Sequence, residues 1–195
     1  MTTSSGSEVE IKFLVADIAL LEVRLREIGF SLKTALTHEY NTIYDRPTGE
    51  FRTRGELLRL RRYGDEWTLT HKGRSFDAHH KTRTETETQV TDGRALDAIL
   101  RYLGFVPMFR YEKFRSEWID GVGTVVIDMT PIGNVAEIEG PPDWIDATAQ
   151  KLGVDAKQYI TKSYAAMFFE WKARTGNSAE HMTFDRCGTL PPTMG

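Results

Sequence analysis

The sequence predicts an α+β fold in which a β-barrel with a charged interior is covered on its outside by helices. Three observations lead to this prediction. Eight segments alternate polar and apolar residues, further segments carry the helical period, and the polar faces of the strands are repeatedly charged. Successive side chains of a strand point to opposite faces, so the apolar faces need cover, which amphipathic helices supply.

The elements follow from the patterning in chain order. Alternation over Glu8 to Leu14 predicts the first strand, and Asp17 is a suitable N-cap for a helix that Gly29 ends. Further helices are expected over about 92–103, 142–152 and 156–174. The other strands are expected over about 36–45, 56–63, 65–72, 81–90, 109–119, 124–129 and 134–140.

An internal repeat links two parts of the chain. The segment from Val15 to Phe30 aligns without a gap on the segment that begins at Val90, an offset of 75 residues. The same offset places Glu10 on Glu85, so the charged faces of the two leading strands correspond. The repeat therefore predicts a barrel built from two similar halves.

Length and composition predict one domain over 8–175. The ends, 1–7 and 176–195, are rich in small polar residues without an apolar period and are expected to be flexible. The net charge of −3 gives no general attraction to nucleic acid or to an anionic membrane, so neither is expected as a partner. The single cysteine, Cys187, excludes a disulfide framework and a cysteine-based zinc site.

The chain is expected to be cytoplasmic. Its first residues lack the apolar core of a signal peptide, and no apolar run approaches the length of a membrane span. The sequence does not fix whether the protein is a monomer or a homodimer.

Charged faces recur along the predicted strands. Glu8, Glu10 and Lys12 share one face of the first strand. The simplest interpretation of any one such strand is a solvated outer face. Like charges at adjacent positions of one face repel, however, so their repetition favours a polar barrel interior. The other charged faces carry Arg59 and Arg61; Arg83, Glu85 and Glu87; Lys113 and Arg115; and Glu137 and Glu139.

A charged interior is stable when its charges are paired, hydrated or matched by a ligand. Arg and Lys suit a polyanion, and carboxylates suit a hard cation such as Mg²⁺ or Mn²⁺. The residues therefore predict a metal–polyphosphate site. The basic set is Lys12, Arg59, Arg61, Lys72, Arg83, Lys113 and Arg115, and the acidic set is Glu8, Glu10, Glu85, Glu87, Asp128, Glu137 and Glu139.

These residues form a series of motifs that resembles the CYTH superfamily, the triphosphate tunnel metalloenzymes. The family signature E-x-E-x-K stands here as Glu8-Val-Glu10-Ile-Lys12. In order there follow Leu58-Arg59-Leu60-Arg61, Thr70-His71-Lys72-Gly73, Arg83-Thr-Glu85-Thr-Glu87, Glu112-Lys113-Phe114-Arg115, Val126-Ile127-Asp128 and Glu137-Ile138-Glu139. The resemblance implies an eight-stranded antiparallel tunnel, and the pattern is most similar to class IV adenylyl cyclases.

The resemblance also implies roles for these residues. The basic set would bind the triphosphate, and Glu10 and Glu139 would be the principal ligands of Mg²⁺ or Mn²⁺. Glu8, Asp128 and Glu137 would bind a second metal, orient its waters or hold the basic residues in place. Glu85 and Glu87 would be supporting residues. Lys113 and Arg115, together with Glu10 and Glu139, are expected to carry the catalysis.

A tunnel tyrosine that inorganic triphosphatases of the family pair with a lysine has two candidate positions here. Alignment by the neighbouring residues offers Asn41, whereas the internal repeat aligns Tyr40 with Arg115 and so predicts that Tyr40 faces the interior as a supporting residue. The resemblance favours a cyclase that converts ATP to cyclic AMP and pyrophosphate. The alternatives are a triphosphatase acting on tripolyphosphate, thiamine triphosphate or a nucleotide, and a non-catalytic polyphosphate-binding module.

Overall fold

The computed structural model describes residues 4–74 and 81–193, with their side chains over 9–74 and 84–193. Each of the eight predicted strands is present. They are β1 Ser4–Leu14, β2 Ser31–Asp45, β3 Leu57–Tyr63, β4 Glu66–Lys72, β5 Lys81–Val90, β6 Val106–Ile119, β7 Thr124–Thr130 and β8 Gly133–Glu139. The helices of the described residues are α1 Ile18–Glu27, α2 Glu50–Arg54, α3 Gly93–Tyr102, α4 Pro142–Lys151, α5 Tyr164–Thr175 and α6 Phe184–Cys187.

The strands form a closed antiparallel barrel in the order β1-β5-β4-β3-β2-β6-β7-β8. Closure depends on β1, which pairs with β5 over its first part and with β8 over its second part. Each described strand pairs with a neighbour on both sides over at least part of its length, so none of these strands is an edge strand. The predicted antiparallel barrel is confirmed.

The apolar faces of the strands point outwards and are covered by helices. Ile11 of β1 and Ile138 of β8 are fully buried beneath Leu25 of α1 and Ile145 of α4. The hydrophobic core therefore lies between barrel and helices, because the barrel interior is occupied by charge. Within residues 4–74 and 81–193, no helix is long and apolar enough to cross a membrane.

The two helices of the internal repeat, α1 and α3, begin and end in the same way. Helices α1 and α3 have the same length, and their N-caps, Asp17 and Asp92, each accept a hydrogen bond from a backbone N–H of the first turn. Each helix is followed by a glycine with positive φ, +96° at Gly29 and +82° at Gly104. Glycine adopts this conformation without the steric cost of a Cβ atom, which explains why both helices end there.

The segment predicted as one helix over 156–174 is broken in the structure. A single 3-10 turn, Ala156–Gln158, is followed by Ile160, which exchanges two backbone hydrogen bonds of 3.0 and 2.8 Å with Lys12 of β1. Helix α5 then begins after Ser163, whose hydroxyl accepts a hydrogen bond from the backbone N–H of Ala166. The break brings the start of α5 to the barrel opening.

Composition predicts flexible ends, and within the described residues parts of both end segments belong to a strand or are packed. Strand β1 already begins at Ser4. At the other end, Met182 is fully buried and exchanges backbone hydrogen bonds of 3.0 Å with Arg110 and Glu112 of β6. Phe184 is buried beside it. These apolar residues have no period because each packs singly against β6, so their burial could not be predicted from spacing.

Candidate active site

Lys12 lies at the centre of an acidic wall formed by β1 and β8. Its Nζ is 2.7 Å from Oε1 of Glu10 and 3.0 Å from Oε1 of Glu137. Burial alone would lower the pKa of Lys12, but the two carboxylates outweigh it and raise the pKa above its ordinary value. The lysine therefore keeps its positive charge inside the barrel, as the predicted phosphate-binding role requires.

Asp128 is a fully buried acceptor at the base of the basic cluster. Arg115 donates two hydrogen bonds of 2.7 Å to its two oxygens, and Lys113 donates one of 2.9 Å. The hydroxyl of Tyr164 donates to the same carboxylate, and Arg115 also bonds Glu137 at 2.7 Å. With its oxygens engaged by these donors, Asp128 fixes the positions of Lys113 and Arg115. Its predicted roles at a metal stay predictions.

The opposite wall, formed by β3, β4 and β5, is more loosely paired. Arg59 lies 3.9 Å from both Glu85 and Glu87, and Arg61 lies 3.7 Å from Glu87. Lys72 is closer to its partner, at 3.0 Å from Glu85. Within the described residues, the buried Nε atoms of both arginines have no hydrogen-bond partner. Ideal charge-assisted bonds are about 2.7–2.9 Å long, so these guanidinium groups can still donate to an anion.

Glu10 and Glu139 are direct neighbours on β1 and β8, and both line the central cavity. Glu10 is buried, whereas Glu139 is exposed. Within the described residues, no group of three His, Cys, Asp or Glu is arranged to hold a metal. Two carboxylates still fit Mg²⁺, which is usually bound by one or two carboxylates together with water and substrate phosphates.

Glu8 and Arg83 belong to the predicted set, but their side chains lie outside the described residues. Their backbones pair directly across β1 and β5. Their roles on metal and triphosphate stay predictions.

Tyr40, predicted as a supporting residue, faces away from the interior. Its partner across β2 and β6 is Glu112, which lies outside the barrel beneath the C-terminal segment. The neighbouring Asn41 is fully buried on the interior side. The β2–β6 register shifts three times, twice over Leu32 to Thr37 and once between Ile43 and Tyr44. Each bulge reverses the alternation of side chains, so the odd number of shifts leaves one reversal between the two strands. Tyr40 and Arg115 lie equally far from the ends of α1 and α3, but they therefore face opposite sides of the barrel wall.

Three interior residues were missed in the sequence. Glu39 is fully buried between Lys113 and Arg115, at 3.5 and 3.9 Å from their nitrogen atoms. Tyr111 and Tyr164 line the cavity with stacked rings 5.8 Å apart. The alternation of side chains along β2 was a signal for Glu39, but the bulges in the β2–β6 pairing obscured it. Tyr164 comes from a helix, which strand patterns cannot identify.

The interior encloses a cavity of about 620 Å³. This volume lies within the range of about 300–1,000 Å³ typical of small-molecule sites. Charged residues from most of the strands line it, but its opening carries an apolar rim formed by Phe51, Met108 and Phe169. Met108 and Phe169 are 43% and 58% exposed, which is unusual for large apolar side chains beside a charged cavity.

Residues 6–164 match the CYTH domain, a stretch that contains nearly all of β1 and the whole of β2 to β8. The chain belongs to the CYTH domain family. The resemblance found in the motifs is thereby confirmed, and the charged residues that line the cavity lie within the matched residues.

This CYTH protein matches its relatives over most of its own length and nearly the whole of theirs. A protein of Methanocaldococcus jannaschii named "Putative adenylate cyclase" is 29% identical over 170 residues, covering 80% of this chain and 95% of the relative. A Vibrio parahaemolyticus structure, described as a putative adenylate cyclase, has a TM-score of 0.72 at 19% identity, covering 83% and 97% of the two chains. A Hippeastrum structure, described as a putative adenylyl cyclase with a dominant triphosphatase activity, has a TM-score of 0.62 at 18% identity, covering 84% and 95%.

Proposed function

We propose that this CYTH protein is a metal-dependent enzyme that converts ATP to cyclic AMP and pyrophosphate in its central cavity. The proposal rests on one observation, namely that three features lie in the same cavity. These are loosely paired arginines, a neighbouring pair of carboxylates and an apolar rim. Arginines suit phosphates, carboxylates suit a hard cation, and an apolar surface suits the nucleobase.

The arginines of β3 would bind the phosphate chain. Arg59 and Arg61 keep donors without hydrogen-bond partners among the described residues, and both line the cavity. Lys113 and Arg115 are held more rigidly by Asp128, so they present fixed positive charge to the same cavity. Phosphoryl transfer depends mainly on positioning and on neutralising charge, and this arrangement supplies both without a protein nucleophile.

Glu10 and Glu139 would hold Mg²⁺ or Mn²⁺ between β1 and β8. When bound there, the cation would neutralise charge on the phosphate oxygens. Lys12, which donates to Glu10 at 2.7 Å, would orient that carboxylate and contribute a further positive charge. In the proposed reaction the ribose 3′-oxygen bonds to the α-phosphorus, the bond from that phosphorus to the pyrophosphate breaks, and the hydroxyl proton passes to water.

The apolar rim favours a nucleotide over inorganic tripolyphosphate. Phe169 lies beside Phe109, with ring centroids 6.2 Å apart, and more than half of its surface is exposed. Base stacking on an aromatic side chain contributes about 1–3 kcal/mol. Tripolyphosphate has no group that would use this surface. Asn41 also stands where a dyad triphosphatase would carry a tyrosine, which supports a reaction other than dyad-assisted hydrolysis.

Incubation of the pure protein with ATP and Mn²⁺, followed by chromatographic separation of the products, tests the proposal. Cyclic AMP and pyrophosphate in equal amounts are expected. Release of ADP and inorganic phosphate would replace the proposal with triphosphatase activity. Tight binding of ATP without any product would identify a non-catalytic binding module.

A further inference from the structure

Glu39 is a negative charge placed deep within the basic part of the barrel. It is fully buried, and its cross-strand partners are Tyr63 of β3 and Lys113 of β6. Burial alone would raise the pKa of Glu39, but the charges of Lys113 and Arg115 outweigh it and hold the pKa well below its ordinary value. The carboxylate is therefore ionised at neutral pH.

Glu39 lies at the inner boundary of the cavity. Strand β2 contributes Ile43, Tyr44 and Asp45 to the cavity lining, whereas Asn41 and Glu39, further along the strand, are fully buried and do not line it. The basic residues around Glu39 do line the cavity. Glu39 consequently lies behind them, at the end opposite the apolar rim.

Behind Lys113 and Arg115, this inner end holds carboxylate and amide oxygens, which are acceptors, together with the hydroxyl of Tyr63. Oε1 of Glu39 accepts a hydrogen bond of 2.8 Å from the side-chain amide of Asn41. Within the described residues, Oε2 of Glu39 and Oδ1 of Asn41 are buried without a hydrogen-bond partner. Phosphate oxygens need donors, so a phosphate group adjacent to these atoms would be repelled instead of bound.

We propose that Glu39 limits the length of the phosphate chain that the cavity accepts. Its carboxylate occupies the position that a fourth phosphate would need when the organic group rests on the rim. The proposal rests on the proposed function, because it assumes that the cavity binds a triphosphate from the rim inwards. Two anions a few ångströms apart in a buried site repel strongly, and this repulsion would exclude the longer chain.

Calorimetric titration of the whole protein with ATP and with adenosine 5′-tetraphosphate tests this proposal in metal-free buffer, where the proposed turnover cannot proceed. A cavity that merely attracts negative charge would bind the tetraphosphate more tightly. The wild-type protein is expected to bind it no more tightly than ATP. The ratio of the affinity for the tetraphosphate to the affinity for ATP should be at least about fivefold higher in the Glu39→Gln variant than in wild type.

Glu112→Gln is the matched control. It makes the same change of charge on the outer face of the neighbouring strand, where Glu112 lies 2.8 Å from His38, and it should leave the ratio of the two affinities unchanged. An equal ratio in the wild-type and Glu39→Gln proteins would overturn the inference. Tighter binding of the tetraphosphate than of ATP by the wild-type protein would also overturn it. Failure of wild type to bind either nucleotide, both in this buffer and with Mn²⁺ added, would instead overturn the proposed function.

Discussion

Asp128 and Arg115 form a two-point ion pair across β6 and β7, with both hydrogen bonds 2.7 Å long and the carboxylate fully buried. The same carboxylate accepts a bond from Lys113. Two positive charges of the cavity are thus fixed by one negative charge that does not itself line the cavity. Lys113 and Arg115 are therefore already paired with a carboxylate of the barrel before any ligand is present.

Asp128→Asn is expected to lower the free energy of unfolding by about 3–5 kcal/mol, because it leaves buried cations without their main partner. Urea denaturation measures the loss. The control is Asp65→Asn, which removes an equivalent charge from the surface pair of the fully exposed Asp65 with Arg62 and should change the midpoint little. Added tripolyphosphate should restore part of the lost stability, because it supplies negative charge to Lys113 and Arg115. Equal midpoints for the two variants would refute the role given to Asp128.

Glu139→Gln is expected to weaken the binding of Mn²⁺ in the presence of an ATP analogue that cannot be turned over by more than about tenfold, because the neutral amide is a poorer ligand for a hard cation. Electron paramagnetic resonance of free Mn²⁺ measures the affinity independently of turnover. Glu66→Gln, at the start of β4 and outside the cavity lining, is the matched control. Unchanged Mn²⁺ affinity in Glu139→Gln, and likewise in Glu10→Gln, would remove the metal assignment.

The sequence predicted the barrel well because strand alternation is a local property. Glu10 and Lys12 were assigned to one face from spacing alone, and both line the cavity. The two helices of the repeat were also predicted, since Asp17 and Gly29 mark helix ends by their own chemistry. These features depend on residues within one or two turns of chain.

Features that depend on distant segments could not be predicted in this way. The face of Tyr40 follows from bulges that appear only when β2 pairs with β6. The partners of Asp128 come from β6 and α5, so spacing in β7 could not separate a metal ligand from a holding carboxylate. Burial of Met182 likewise requires β6 as a surface.

Phe169→Ala is expected to weaken the binding of ATP by about fivefold or more, because it removes the exposed ring proposed to stack on the base. Binding of tripolyphosphate should not change. Leu103→Ala is a suitable control, since Leu103 is 60% exposed, similar to Phe169, but lies outside the cavity lining. Equal losses for ATP and tripolyphosphate would show that the ring supports the fold rather than the base.

Acid is expected to destabilise the protein through Glu137. Burial alone would raise the pKa of Glu137, but Lys12 and Arg115 outweigh it and hold the pKa well below its ordinary value. A carboxylate with a lowered pKa stabilises the folded state above its unfolded pKa, and this contribution is lost as the pH falls towards the folded pKa. The urea midpoint should therefore fall between about pH 5 and pH 3. The fall should be smaller in Glu137→Gln, whereas an equal fall would contradict the assignment.

Cys187 reports on whether the C-terminal segment is packed in solution. Its thiol is buried, and burial raises its pKa to about 11. Because thiolate is the reactive form, Ellman's reagent at pH 8 should react with the native protein about 100-fold more slowly than with protein denatured in guanidinium chloride. As Cys187 is the sole cysteine, the whole signal belongs to it. Met182→Ala should accelerate the native reaction by loosening the contact with β6. Native and denatured rates that agree would mean that the segment is detached, as its polar composition alone would predict.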